Sequence, residues 1–142
     1  MRLRRALPLL LAVLAASCGG GPPSPESVVR AWNEAVNSGD NEAAARLFAP
    51  GARVIQAGRV YTLADRGDAV AFNAGLPCSA EIVEIETQGD TVTATFSLAD
   101  RTTSRCDAPG VEVTAVFEIS EGKIVVWEQL AGPAAAPPGQ EI

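Results

Sequence analysis

Between Ala80 and Leu130 the chain changes side with every residue, and that two-residue period constrains most of what it can fold into. The segment AEIVEIETQ sets Val83 and Ile85 against Glu84 and Glu86. TVTATFSLAD places Val92, Ala94, Phe96 and Leu98 on one face and threonines on the other. VEVTAVFEIS repeats the pattern with Val111, Val113, Ala115, Phe117 and Ile119, and IVVWEQL follows the turn EGK. Side chains alternate across a strand, so these runs describe antiparallel strands with one buried face and one wet face. Gly89–Asp90 has the chemistry of a tight hairpin turn. The apolar face of such a sheet has to be covered.

The cover lies earlier in the chain. Ser24 is placed to cap a first helix, with Pro25 at its first position, where a missing N–H costs nothing. Val28, Trp32 and Ala35 or Val36 recur at helical spacing. Gly39 ends that helix and Asp40 caps a second, with Ala43, Ala44, Leu47 and Phe48 on its buried side. ARVIQAGRVYTL reads as a hairpin turning at Gly58. DRGDAVAFNAGL reads as a third short helix with Ala69, Val70 and Phe72 inward. Helices followed by a curved antiparallel meander make one α+β domain over residues 25–130, large enough for a single core.

The flanks are of another kind. Arg2, Arg4 and Arg5 precede the apolar run Ala6–Ala16, and small residues lead to Cys18. This is the layout of a secretory signal over residues 1–17. As a helix the eleven apolar residues would reach ~16 Å, too short for a hydrocarbon core of ~30 Å. The rival, a buried N-terminal helix, leaves the arginines and the abrupt Gly-Gly-Gly-Pro-Pro unexplained. LAASC resembles a bacterial lipobox, with Ala15 where the aliphatic residue usually stands. The resemblance implies lipidation of Cys18, export and membrane anchoring; plain cleavage nearby is the alternative. Residues 18–24 then form a tether, and the Ala/Pro-rich residues 131–142 a disordered tail.

Three of the 11 basic residues leave with the signal while all 17 acidic ones stay, which takes the net charge from −6 to −9. That balance excludes nucleic acid, whose binding is dominated by phosphate neutralisation, and disfavours an anionic membrane face without the lipid. Cys78 and Cys106 remain for each other in an oxidising compartment. A bridge closing the 27 residues between them contributes about 3 kcal/mol in the chain-entropy picture. Metal binding is the other use of such cysteines, but the chain has no histidine and no Cys-x-x-Cys pair. No phosphate loop or nucleophile elbow is present, so no cofactor is expected.

The stretch VVRAWNEAVNSGDNEAAARLFAPGARV resembles the opening of the nuclear transport factor 2-like superfamily, in its SnoaL-like branch. There a helix passes through an Asn/Ser-Gly-Asp turn to a second helix, and Phe-Ala-x-x-Ala-x-Val leads into the first strand. FEISEGKIVVWEQL is similar to the closing hairpin. The resemblance covers residues 25–130 and implies a cone: a curved sheet wrapped around helices, enclosing an apolar pocket. The superfamily hosts isomerases, dehydratases and cyclases beside members that only bind or assemble, so the fold does not choose a function.

An enzyme in such a cone needs a tuned acid or base and a donor that polarises a carbonyl. The dehydratases' histidine is absent, and alignment by eye puts Gln56 or Ile55 where the isomerase acid stands. A glutamine cannot carry a proton on and off. Parity offers Asp100, on the Val92–Leu98 face, and Glu128, which shares a face with Ile124 and Val126. Glu81 falls on the Val83–Ile85 face, and Tyr61 is the candidate donor. Each also reads as a strand-end group in water, or, for the acids, as a partner for Arg59, Arg101 or Arg105. Trp32, Phe48, Tyr61, Phe72, Phe96, Phe117 and Trp127 are the expected pocket residues. The expectation is a non-catalytic, membrane-tethered extracytoplasmic domain that binds a small apolar ligand or a protein partner. The alternative is an isomerase-like enzyme acting on a small apolar carbonyl compound. A homodimer through the outer face stays open, because its Thr91, Thr93, Thr95 and Ser97 are neither strongly apolar nor repulsive.

Overall fold

Ser24 begins α1 (Pro25–Asn37) by accepting the Ser27 N–H on its hydroxyl, which satisfies one of the free amides of the first turn. Val28, Val29, Trp32, Ala35 and Val36 form the buried stripe. The helix ends in a Schellman arrangement: Asp40 N–H donates to Ala35 O at 2.9 Å and Gly39 N–H to Val36 O at 3.1 Å. Gly39 has φ of +76°, and a Cβ there would sit 3.2 Å from Thr102 Oγ1, so glycine is required twice over. Asp40 then caps α2 (Asn41–Arg46), its Oδ1 accepting the Ala43 N–H at 2.9 Å.

The structure, a computed structural model, describes residues 20–132. The signal of residues 1–17, the lipidation at Cys18 and tail residues 133–142 lie outside the described residues. Among the described residues no helix is long and apolar enough to cross a membrane.

After α2 come β1 (Phe48–Gln56), β2 (Arg59–Leu63), α3 (Arg66–Ala74), β3 (Cys78–Gln88), β4 (Thr91–Asp100), β5 (Glu112–Ser120) and β6 (Lys123–Gln129). The second helix is shorter than its apolar pattern predicts, and Phe48 belongs to β1. The cause is tertiary: Leu47 O accepts the Ile124 N–H at 2.7 Å, so pairing with β6 takes over the chain. The six strands form one sheet in the order β2-β1-β6-β5-β4-β3. The meander β3–β6 is antiparallel, as its alternation requires, but β1 lies parallel to β6 and the sheet stays open. The expected α+β cone, a curved sheet wrapped around helices, is what the structure shows, with the one difference that β1 joins the antiparallel strands in parallel to β6.

Two bulges change the parity of the sheet. Ile82 faces Phe96 and Glu84 faces Thr95, so Val83 is an extra residue in β3. Ile82 and Ile85 thus both point to the core, while Val83, expected inside, is 48% exposed. In β6, Ile119 faces Ile124 and Glu118 faces Val126, leaving Val125 as the extra residue. Ile124 and Trp127 consequently share the inner face although they are three apart. A bulge adds one residue to one strand only, and local alternation cannot reveal it.

Six of the seven aromatics expected in the pocket meet in the interior, and Tyr61 does not. Trp32 is central, edge-on to Phe117 at 5.3 Å, to Phe96 at 6.1 Å and to Trp127 at 6.2 Å. Phe72 bridges Trp127 at 5.2 Å and Phe48 at 5.8 Å. Edge-to-face contacts of this kind contribute about 0.5–1.5 kcal/mol each beyond area burial. Cys78 and Cys106 form a disulfide, which ties the start of β3 to the β4–β5 loop.

Asp40→Ala removes the α2 cap and is expected to lower stability by about 1 kcal/mol in urea unfolding, with cavity occupancy unchanged. Loss of occupancy at unchanged stability would contradict a purely structural Asp40.

Candidate functional site

A cavity of about 200 Å³ opens between α1 and the inner face of the sheet. α1 contributes Trp32, Asn33 and Val36 to its wall. β4 and β5 contribute Phe96, Leu98, Val113 and Ala115, and β6 contributes Trp127 and Gln129. The mouth lies at the end of the sheet where β1 and β6 finish, ringed by Gln56, Gln129, Pro77, Cys78 and Asp107.

Of the expected pocket residues, Trp32, Phe96 and Trp127 line this cavity. Phe117 and Phe48 are packed in the solid core behind it. Tyr61 and Phe72 line a shallower depression between β2 and α3, which shares Gln56, Leu76 and Pro77 with the cavity wall. Tyr61 sits on an edge strand and is 48% exposed, because no further strand covers β2.

The candidate acids point elsewhere. Asp100 Oδ1 accepts the Cys106 N–H at 2.8 Å, so its carboxylate braces the disulfide loop instead of facing the cavity. Glu128 lies between Ile55 and Val116 on the outer face, because the bulge at Val125 puts Trp127 on the inner one. Glu81 pairs with Ser97 on the outer face for the same reason in β3. At the position expected for an isomerase acid, Gln56 Nε2 donates to Gln129 Oε1 at 2.8 Å, closing an amide pair across the mouth.

Sequence reasoning missed three features. Asp107 is the only residue with an ionisable carboxylate among the cavity-lining residues, and it stands exposed at the rim, 3.5 Å from Cys78 Sγ. Cys78, Cys106 and Asp107 gather within 4.8 Å, but both sulfurs are used in the disulfide and are not free to bind metal. The second feature is Arg101, 6% exposed. It was expected as a surface partner for an acid. Its Nη1 instead donates to Asn73 O at 2.7 Å and Leu76 O at 2.8 Å, and its Nη2 to Asn41 Oδ1 at 2.9 Å. Burial lowers its pKa from the ordinary guanidinium value. The third is Asn73, fully buried, which accepts the Trp32 Nε1 proton at 2.8 Å and donates to Ala69 O at 2.8 Å. Only its position on the Ala69 face of α3 hints at this in the sequence.

The helices, the curved sheet and the cavity between them agree with a match over residues 29–127 to the SnoaL-like domain. The chain belongs to the SnoaL-like domain family.

Similar solved structures agree on the fold. A candidate polyketide cyclase from Sinorhizobium meliloti is 24% identical, with a TM-score of 0.60 over 73% of this chain and 94% of its own. A candidate ketosteroid isomerase from Kribbella flavida is 18% identical, with a TM-score of 0.62 over 82% and 84%. A protein of ketosteroid isomerase-like fold from Catenulispora acidiphila, in complex with trimethylamine, is 19% identical, with a TM-score of 0.57 over 77% and 87%. No curated protein sequence matches. Within this SnoaL-like domain the cavity takes its shape from α1 and the inner faces of β4–β6, and the segment at its mouth is held by Arg101 and the disulfide.

Arg101→Met leaves two carbonyls and one side-chain amide oxygen without donors, and is expected to cost about 3 kcal/mol in chemical unfolding. Arg101→Lys should recover less than half of it, because a single ammonium does not reproduce the planar fork. Full recovery by lysine would show that charge, not geometry, is what the site needs.

Proposed function

We propose that this SnoaL-like domain is a non-catalytic, membrane-tethered extracytoplasmic module that holds a small apolar ligand in the cavity beside Trp32, Phe96 and Trp127. The observation that carries this reading is the composition of the wall. It is aromatic and aliphatic, and its polar side chains, apart from Asp107 at the rim, are the neutral amides of Asn33, Gln56 and Gln129. Proton transfer requires a titratable group near the reacting atom. Asp100, Glu128 and Glu81 all lie away from the cavity, and Gln56 occupies the acid's expected place.

Size and polarity narrow the ligand. About 200 Å³ is below the range of ~300–1,000 Å³ typical of drug-sized ligands, so the occupant is small. The Trp127 indole N–H is buried without an acceptor among the described residues. That N–H is not accessible from the cavity, so polar contact with an occupant falls to the amides of Asn33, Gln56 and Gln129. That a structural relative is recorded with trimethylamine is consistent with a small occupant in this fold. The tethering rests on the arginine-led apolar leader and the LAASC segment.

One observation keeps an enzymatic reading in play: Asp107 places a carboxylate at the mouth. In that reading the domain acts on a small apolar carbonyl compound, with Asp107 as the base.

Ala80→Phe places a large side chain into the cavity from β3. Native mass spectrometry of the purified signal-free domain should then show retained ligand falling by roughly tenfold, equivalent to about 1.4 kcal/mol of binding. Unchanged retention would place the ligand elsewhere. Asp107→Asn should leave retention within about twofold, since a rim charge contributes little. If the wild type turned over small ketones and Asp107→Asn did not, the enzymatic reading would replace this one.

A further inference from the structure

The tether is not free where it meets the domain. Gly122, at the β5–β6 turn, has φ of +74° and lies directly under the two tether prolines. A Cβ on Gly122 would come within 2.9 Å of Pro23 Cδ and 3.8 Å of Pro22 Cβ. Proline rings packed on a bare glycine turn give the chain a defined exit at that end of the sheet. From Cys18 to Pro22 there are only four residue steps, at most ~14 Å of extended chain.

The cavity mouth is at the other end. β6 starts at Lys123, beside the turn, and runs seven residues, ~20 Å or more, to Gln129 at the mouth. A second ruler agrees. α1 starts at Pro25 next to the tether and rises ~20 Å over 13 residues to Asn37. The Asn37 side chain is pinned to Ala80 on the cavity wall by two hydrogen bonds, of 2.8 and 2.9 Å. The anchor point and the mouth are therefore separated by the full length of the domain.

We infer that the Pro22–Pro23 contact holds the tethered domain upright on the membrane. The β5–β6 turn faces the bilayer and the cavity mouth faces the aqueous side, so the occupant is a small apolar molecule taken from water and not a lipid drawn from the membrane. This rests on the tethered-binder reading above. Electrostatics favours the same posture: with a net charge of −9 once the signal is removed, the domain is repelled by an anionic leaflet within the ~8 Å Debye length.

The two ends of β5 provide the test, because Ser120 is beside the turn and Glu112 is at the mouth end, and both are exposed. The signal-free chain beginning at Cys18 is coupled through that thiol to maleimide-bearing phosphatidylethanolamine/phosphatidylglycerol vesicles that contain a headgroup-nitroxide lipid. A fluorophore is attached through p-azidophenylalanine at Ser120 or, separately, at Glu112. Quenching at Ser120 is expected to exceed that at Glu112 by about threefold, given their ~25 Å separation along the strand. Equal quenching, or stronger quenching at Glu112, overturns the posture. In the double variant Pro22→Ser, Pro23→Ser, which leaves the folded core untouched, the ratio should fall below half its starting value. A ratio that persists overturns the role of the proline contact. Mass spectrometry of the Cys18 peptide from expressing bacteria tests the tether separately: an unmodified Cys18 removes the membrane reading, whereas the vesicle result reports only on the posture.

Discussion

The guanidinium of Arg101 is the contact on which the arrangement of this domain depends. It takes up the carbonyls of Asn73 and Leu76 at the end of α3 and the side chain of Asn41 at the start of α2. Through Asn73 the same network reaches the indole of Trp32 on α1. One cation thus fixes three helices to the β4–β5 loop. No carboxylate is among its hydrogen-bond partners; it sits against the negative end of a helix dipole, where a cation is favoured. Burying a guanidinium is costly, and here the cost is offset by three short hydrogen bonds from Nη1 and Nη2, while Nε stays buried without a partner among the described residues.

The same network braces the residues around the cavity mouth. Leu76 and Pro77 follow the C-cap of α3, and Arg101 and the hydroxyl of Ser104 bind their carbonyls. The disulfide continues the brace from Cys78 to Cys106, and Asp100 seals the loop by accepting the Cys106 amide. Polar groups near the mouth that look chemical in the sequence are therefore spent on structure. What remains exposed to the cavity is an apolar wall, an amide pair and one rim carboxylate.

Much of the architecture is legible in the residues. Ser24, Gly39 and Asp40 declare their helix boundaries because capping is local chemistry, decided within four residues. The alternation of β4 and β5 is equally plain, and the domain holds two cysteines, Cys78 and Cys106, which form the disulfide. The aromatic interior follows from the same stripes, and of the seven expected rings six meet while Tyr61 stays on the exposed edge strand. The site itself was only half legible. Trp32, Phe96 and Trp127 line the cavity as expected, whereas Asp100, Glu128 and Glu81 do not reach it and Asp107 was not singled out.

The division has one physical reason. By itself the sequence determined the order of helices and strands, the caps and the apolar stripes, all of which depend on neighbours a few residues away; the pairing of Cys78 with Cys106 followed from there being two cysteines in the domain. The tertiary structure decided the parallel seat of β1 on β6, the bulges at Val83 and Val125, and the burial of Arg101. A bulge appears only when two strands must keep register around a curved core, and it reverses the facing of every residue beyond it. Which acid meets the cavity is a question of facing, so only the packed sheet could answer it.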